Sequence, residues 1–171
     1  MPRVFFALWP EDAQRDELYR AAQSAHVTSG GRLMRRENLH QTLVFIGTVA
    51  AGKVAEINSA AASVDATAFE LKFGTLRYWR HNRIVWAAPL ATPKPLLAML
   101  AALESALDHA NVAFDRRPYA PHTTLIRDAR SPAEFAPLKF GWPVRDFTLV
   151  ESANDSSGVV YRVIARWPLA A

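Results

Sequence analysis

"LHQTLVFIG" (residues 39–47) opens on a histidine and a threonine two positions apart and closes on Gly47, and the pattern returns in "APHTTLIRD" (residues 120–128). Both stretches read His-x-Thr-Leu followed by Val or Ile, within what the apolar composition marks as buried strands. Side chains alternate along a strand, so His40 and Thr42 project to one face while Gln41 and Leu43 project to the other. The same parity pairs His122 with Thr124. Each copy therefore presents one imidazole beside one hydroxyl.

The surroundings of the two stretches repeat as well. "VFFALW" (4–9) has the length and aromatic content of a strand, and "PEDAQRDELYRAAQSAH" (10–26) follows as a helix with proline and two acids at its start. Leu18, Ala22 and Ala25 share one face of that helix, and a basic, turn-rich connection leads to His40. In the second copy "RIVWAAP" (83–89) is the strand and "TPKPLLAMLAALESALDHA" (92–110) the helix, with leucines at steps of four and three. From helix-opening proline to histidine the count is thirty residues in one copy (Pro10 to His40) and twenty-nine in the other (Pro93 to His122). Two copies imply a duplicated unit rather than a solenoid.

The remaining pieces are expected to complete each half. A helix at 52–64 and a strand at 68–79 go with the first, and a proline-interrupted stretch at 131–143 with strands at 145–152 and 159–167 go with the second. "ANDSSG" (153–158) reads as the loop between the last two strands. The expected fold is α+β: one domain over residues 1–171, bilobal and duplicated, with two antiparallel-rich sheets backed by helices around a central cleft.

At 171 residues the chain can bury a core without disulfide or metal staples. It has no cysteine, which removes thiolate nucleophiles and cysteine-based zinc sites and fits a reducing compartment. The first apolar run, Val4 to Trp9, is too short for a signal peptide core or a membrane span, so a soluble cytoplasmic protein without membrane association is expected. Net charge is +4, and sixteen arginines stand against four lysines. The planar fork of arginine suits phosphate and stacks on bases, which favours a phosphate-bearing partner; ordinary solubility chemistry is the plainer explanation of so small a charge.

If the two halves pack about an approximate two-fold axis, both imidazoles can face one small ligand. In-line displacement at a phosphodiester needs a base for the incoming oxygen and an acid for the leaving one, each within about 2.6 to 3.2 Å of its target. Two histidines suit the task, since an ordinary pKa of about 6.5 lets one be neutral and the other charged near neutrality. The threonine hydroxyls can donate to the non-bridging oxygens. A lone histidine in a strand is more often a hydrogen-bonded core or edge residue, but packing alone has no reason to repeat the polar pair at matched positions. No metal is expected: neither copy has His-x-His or His-x-x-x-His spacing, and no acid lies within either motif. His26, His81 and His109 fall at helix ends or in a turn, where capping or solvent exposure is their expected role.

These residues resemble the two-histidine (2H) phosphoesterases, defined by paired HxTx motifs, and most closely the bacterial RNA 2',3'-cyclic phosphodiesterases, also called 2'-5' RNA ligases. The resemblance runs through "FFALWP", "RRENLHQTLVFIG", "RIVW", "PHTTLIRDA", "FTLVES" and the final "YRVIARWPL". It implies a bilobal fold, no cofactor, and hydrolysis of a 2',3'-cyclic phosphate to a 2'-phosphate. By the same resemblance His40 is the proton donor to the leaving 3'-oxygen, His122 the base that activates water, and Thr42 and Thr124 ligands of the phosphate oxygens. Arg127 matches a family arginine that would add a phosphate or ribose contact. Strict alternation puts Arg127 on the face opposite His122, so that role requires a bulge or strand end near Ile126.

Further expectations concern the walls of the cleft. Gln41 and Thr123 occupy core-facing positions usually apolar in similar proteins, and each must find a hydrogen bond or solvent. Phe5, Tyr78, Trp79 and Trp86 are candidates to stack a nucleobase, with core packing as the alternative. Arg35, Arg36, Arg116 and Arg117 precede the motifs symmetrically and either line the approach to the cleft or stand as solvated loop charge. The implied partners are RNA ends or nucleotides bearing a 2',3'-cyclic phosphate, met by a monomer with no obligate protein partner. Two other functions stay open: reversible 2'-5' joining of RNA, and a nucleotide- or RNA-binding module that does not turn over.

Overall fold

The computed structural model describes all 171 residues, in two antiparallel sheets and three helices. In chain order the elements are β1 (Arg3–Leu8), α1 (Asp12–Ser29), β2 (Arg32–Leu33), a 3-10 turn (Arg36–Asn38), β3 (Gln41–Thr48), α2 (Lys53–Ala62), β4 (Phe69–Trp79), β5 (Ile84–Pro89), α3 (Lys94–His109), β6 (Thr123–Arg127), β7 (Phe140–Val144), β8 (Asp146–Asp155) and β9 (Gly158–Pro168). One sheet has the order β3-β1-β8-β9 and the other β2-β6-β5-β4-β7. The α+β architecture with two antiparallel sheets is the one expected. No helix is long and apolar enough to cross a membrane.

The division of strands between the halves is not the one expected. β4 pairs with β5 and β7 in the second sheet, while β8 and β9 complete the first sheet beside β1. The helices cross as well: α1, which follows β1, packs on β6, β7 and β2, whereas α3, which follows β5, packs with α2 and against β3. A strand–helix–strand unit buries its helix wherever an apolar face is free, and each half finds that face on the other. The main core accordingly joins Phe6, Leu8, Phe147 and Leu149 of one sheet to Leu71, Val85, Leu125 and Ile126 of the other in a single cluster of 31 buried residues.

Local departures from expectation have local causes. α1 runs to Ser29, past His26, and ends where Gly30 takes a positive φ of 57° and returns its N–H to the His26 carbonyl. β7 begins in the proline-interrupted stretch at 131–143, to which the sequence reading assigns no element. It is an edge strand, where Pro143 can sit opposite Glu70 without removing a hydrogen bond from a central ladder. The "ANDSSG" loop shrinks to a hairpin turn, with β8 running through Asp155 and β9 resuming at Gly158.

Candidate functional site

Both histidines stand one residue ahead of their strands, at the last position before the ladder begins, rather than inside them. The expected alternation still holds. Gln41, Leu43, Thr123 and Leu125 are buried, whereas His40, Thr42, His122 and Thr124 line one cleft of about 360 Å³. That volume falls in the range of small-molecule sites, roughly 300–1,000 Å³. The segment entering β6 is tied to β3, with the Asp115 N–H donating to the Phe45 carbonyl at 2.8 Å.

The alternation breaks at the same place in both copies. Between β1 and β3 the register passes from Ala7 opposite Thr42 to Phe6 opposite Val44, skipping Leu43. Between β5 and β6 it passes from Trp86 opposite Thr124 to Val85 opposite Ile126, skipping Leu125. Each bulge buries two successive apolar residues and returns the fifth residue after the histidine to the cleft. In one copy that residue is Phe45; in the other it is Arg127. The bulge that the Arg127 role required is therefore present, and its counterpart in the first copy brings in Phe45, which sequence reasoning missed. The signal was legible: Leu43-Val44 and Leu125-Ile126 are apolar pairs that no strict alternation accommodates.

Backbone carbonyls fix the two rings alike. His40 Nδ1 lies 2.7 Å from the Asn38 carbonyl and His122 Nδ1 lies 2.7 Å from the Ala120 carbonyl. A carbonyl only accepts, so Nδ1 carries the proton in both neutral rings, and Nε2 keeps its lone pair. His40 Nε2 accepts from the Thr42 hydroxyl at 3.0 Å. Aromatic rings wall each imidazole: Phe5, Trp9 and Tyr161 around His40, and Trp79 and Trp86 around His122. Burial pushes the His40 pKa down to about 4, against the raising effect of its carbonyl partner, and the charges of His122, Arg15 and Arg127 add to the lowering. Burial lowers His122 too, with Arg127 contributing. The free protein thus holds two neutral imidazoles with their lone pairs available, next to two arginines, Arg3 and Arg127, that line the cleft without a carboxylate partner.

Other expectations resolve residue by residue. Three of the four flanking arginines are neutralised locally: Arg36 by Asp12 and Asp16, Arg116 by Asp108, and Arg117 by Asp115. Arg35 donates to the Ser157 carbonyl in the β8–β9 turn. Of the aromatic candidates, Phe5, Trp79 and Trp86 pack against the histidines, and Tyr78 donates its hydroxyl to the Ala129 carbonyl. Gln41 donates its side-chain amide to Tyr119 Oη at 3.0 Å, while its carbonyl and the Thr123 hydroxyl have no protein partner. His26 and His109 face carbonyls at their helix ends. His81 is exposed in the turn between β4 and β5, as expected, and borders a second arm of the cleft with Trp79, Asn82 and Arg117, an arm that shares Thr42, Phe45, His122, Thr124 and Arg127 with the first.

A family model described as LigT like phosphoesterase matches residues 8–86, which include the first motif. A protein of Escherichia coli (strain K12) named RNA 2',3'-cyclic phosphodiesterase is 29% identical over 169 residues, covering 98% of this chain and 96% of its own. The chain thus resembles the LigT-like phosphoesterases, by a family match over its first half and by likeness to RNA 2',3'-cyclic phosphodiesterases along nearly its whole length. It is an enzyme of the hydrolase class. Its fold matches crystal structures of E. coli LigT complexed with NADP+ (TM-score 0.88, 28% identity, 99% of this chain and 98% of that one) and with 3'-AMP (TM-score 0.87, 28% identity, 99% of each).

Proposed function

We propose that the protein hydrolyses 2',3'-cyclic phosphates on RNA ends or nucleotides, leaving a 2'-phosphate, by paired histidine acid-base catalysis. The observation that carries this reading is the repeated geometry of the cleft: two imidazoles oriented by identical carbonyl bonds, each beside a threonine hydroxyl. The cyclic phosphodiester sits between them. His122 Nε2 takes a proton from the attacking water, and His40 Nε2 gives one to the departing 3'-oxygen, the direction being that of the family. Thr42, Thr124 and Arg127 donate to the non-bridging oxygens as charge builds on them. Phe45 offers an aromatic face to the nucleoside, with the Arg3 guanidinium 5.1 Å from its ring centre. One chain supplies both histidines and both threonines, which supports action as a monomer, and RNA as the proposed substrate favours the cytoplasm as its location.

The acid in this scheme must be charged, whereas both histidines are held neutral in the free protein. The negative phosphodiester supplies the missing term, because an anion between the rings raises their pKa values. A bell in kcat/KM reports the free enzyme, so its centre, the mean of two lowered values, falls below about pH 6.5. The bell in kcat reports the complex and is displaced to higher pH. Coincident optima at or above neutrality would mean that substrate charge does not set the protonation.

The decisive assay incubates the protein in chelator with 2',3'-cyclic AMP and with an RNA carrying a cyclic-phosphate end. Ring opening with water in line with the 3'-oxygen leaves the phosphate on the 2' position, which phosphorus NMR distinguishes. A 3'-phosphate product would reverse the roles of His40 and His122. Tight nucleotide binding with no turnover would make the protein a binding module instead.

A further inference from the structure

Arg15 is the one charged side chain among the buried residues of the chain, 5% exposed, on the face of α1 that also carries Leu18, Ala22 and Ala25. No carboxylate bonds its guanidinium, since the nearby Asp12 and Asp16 are taken by Arg36. The fork donates instead to three backbone carbonyls: Nη1 to Arg36 at 2.9 Å and Leu39 at 3.2 Å, and Nη2 to Pro10 at 2.9 Å. Two of those carbonyls belong to the turn that delivers His40, and the third follows Trp9. The guanidinium also lies 5.2 Å from the Trp9 ring centre, and Trp9 stacks on His40 with centroids 5.8 Å apart and planes 15° from parallel. The second copy has nothing comparable, the buried residues of α3 being Leu96, Met99, Leu100, Leu103 and Leu107.

A buried guanidinium without a counter-ion is costly, and an apolar residue on that helix face would serve packing better. We infer that Arg15 is a positioning residue for the first histidine: by clamping the Arg36–Leu39 turn to the Trp9–Pro10 corner it holds the His40 ring in the orientation that hydrogen-bonds Asn38 and aims Nε2 at the cleft. The inference rests on the catalytic reading of His40. It makes the near-symmetric site unequal in construction, with the first imidazole braced from outside its strand and the second held by its own segment and the tryptophans.

Arg15→Met and Arg15→Lys test it, read by steady-state kinetics on 2',3'-cyclic AMP and by nitrogen-15 NMR of the histidine rings. In Arg15→Met, kcat falls on the order of 10²-fold, the penalty for a misplacement of about 1 Å, while KM changes little. His40 then populates both neutral tautomers while His122 keeps its proton on Nδ1. Arg15→Lys, which keeps a cation and can reach part of the carbonyl set, recovers part of kcat and of the His40 tautomer. A folded Arg15→Met protein with wild-type kcat and a single His40 tautomer overturns the inference. So does equal disturbance of His40 and His122 in both variants, which is general loosening. If the wild-type protein itself fails to turn over, the proposed function falls, and the tautomer of His40 still decides the role of Arg15.

Discussion

His40→Ala and His122→Ala are each expected to remove nearly all turnover of 2',3'-cyclic nucleotides, with kcat/KM falling roughly 10²- to 10⁴-fold. A step that needs an acid and a base together fails when either is lost, so the double variant should be little worse than either single one. Additive losses would instead mean that the two imidazoles act in separate steps. His40 also fills a pocket among Phe5, Trp9 and Tyr161, so His40→Gln serves as a companion that keeps volume and polarity while removing the titratable ring. Unfolding is excluded by circular dichroism of the same samples. Substantial residual activity in any folded single variant would sink the paired mechanism.

The second large effect belongs to the hydroxyls. Thr42→Val and Thr124→Val keep shape and remove a donor to oxygens that gain charge in the transition state, and loss of one such donor costs about 10²- to 10³-fold in kcat. Thr42→Val also takes away the hydrogen bond to His40 Nε2, which Thr124 does not share with His122 in the free protein. Thr42→Val is therefore expected to alter the resting state of its histidine, visible as a change in the His40 ring nitrogen shifts, and Thr124→Val to leave His122 unchanged. A raised KM with unaltered kcat would show that the hydroxyls bind substrate and transition state alike.

Much of this site could be read from the chain because it is built from local periodicity. The period of two in His-x-Thr fixes which side chains share a face, and the repeat of strand, helix and motif indicates a partner for each face. The bulges at Leu43 and Leu125 were half-legible: one was required for Arg127 to reach the cleft, and the same reasoning applied to the first copy would have found Phe45. The pairing of β4 with β5, the return of β8 to β1 and the crossing of α1 and α3 were not legible, because any antiparallel strand of suitable pattern satisfies a neighbouring edge. Arg36 and Arg116 resembled cleft residues in sequence for a related reason. Their carboxylate partners, Asp16 and Asp108, sit on helices whose placement decides the matter.

The position of β1 inside its sheet has a consequence for biosynthesis. Its outer neighbour is β3, made soon after it, but its inner neighbour is β8, so that Arg3 must wait for Ser152 and Phe6 for Leu149. While the ribosome is still extending the chain, "VFFAL" has one flank unpaired and no second layer to cover it, and α1 lacks β6 and β7 to lie on. Pairings of such sequence separation form slowly, and an apolar strand held open during synthesis is an aggregation hazard. Chains stalled or truncated before residue 150 are thus expected to be clients of chaperones rather than half-built enzymes, because the strand that closes β1 is β8.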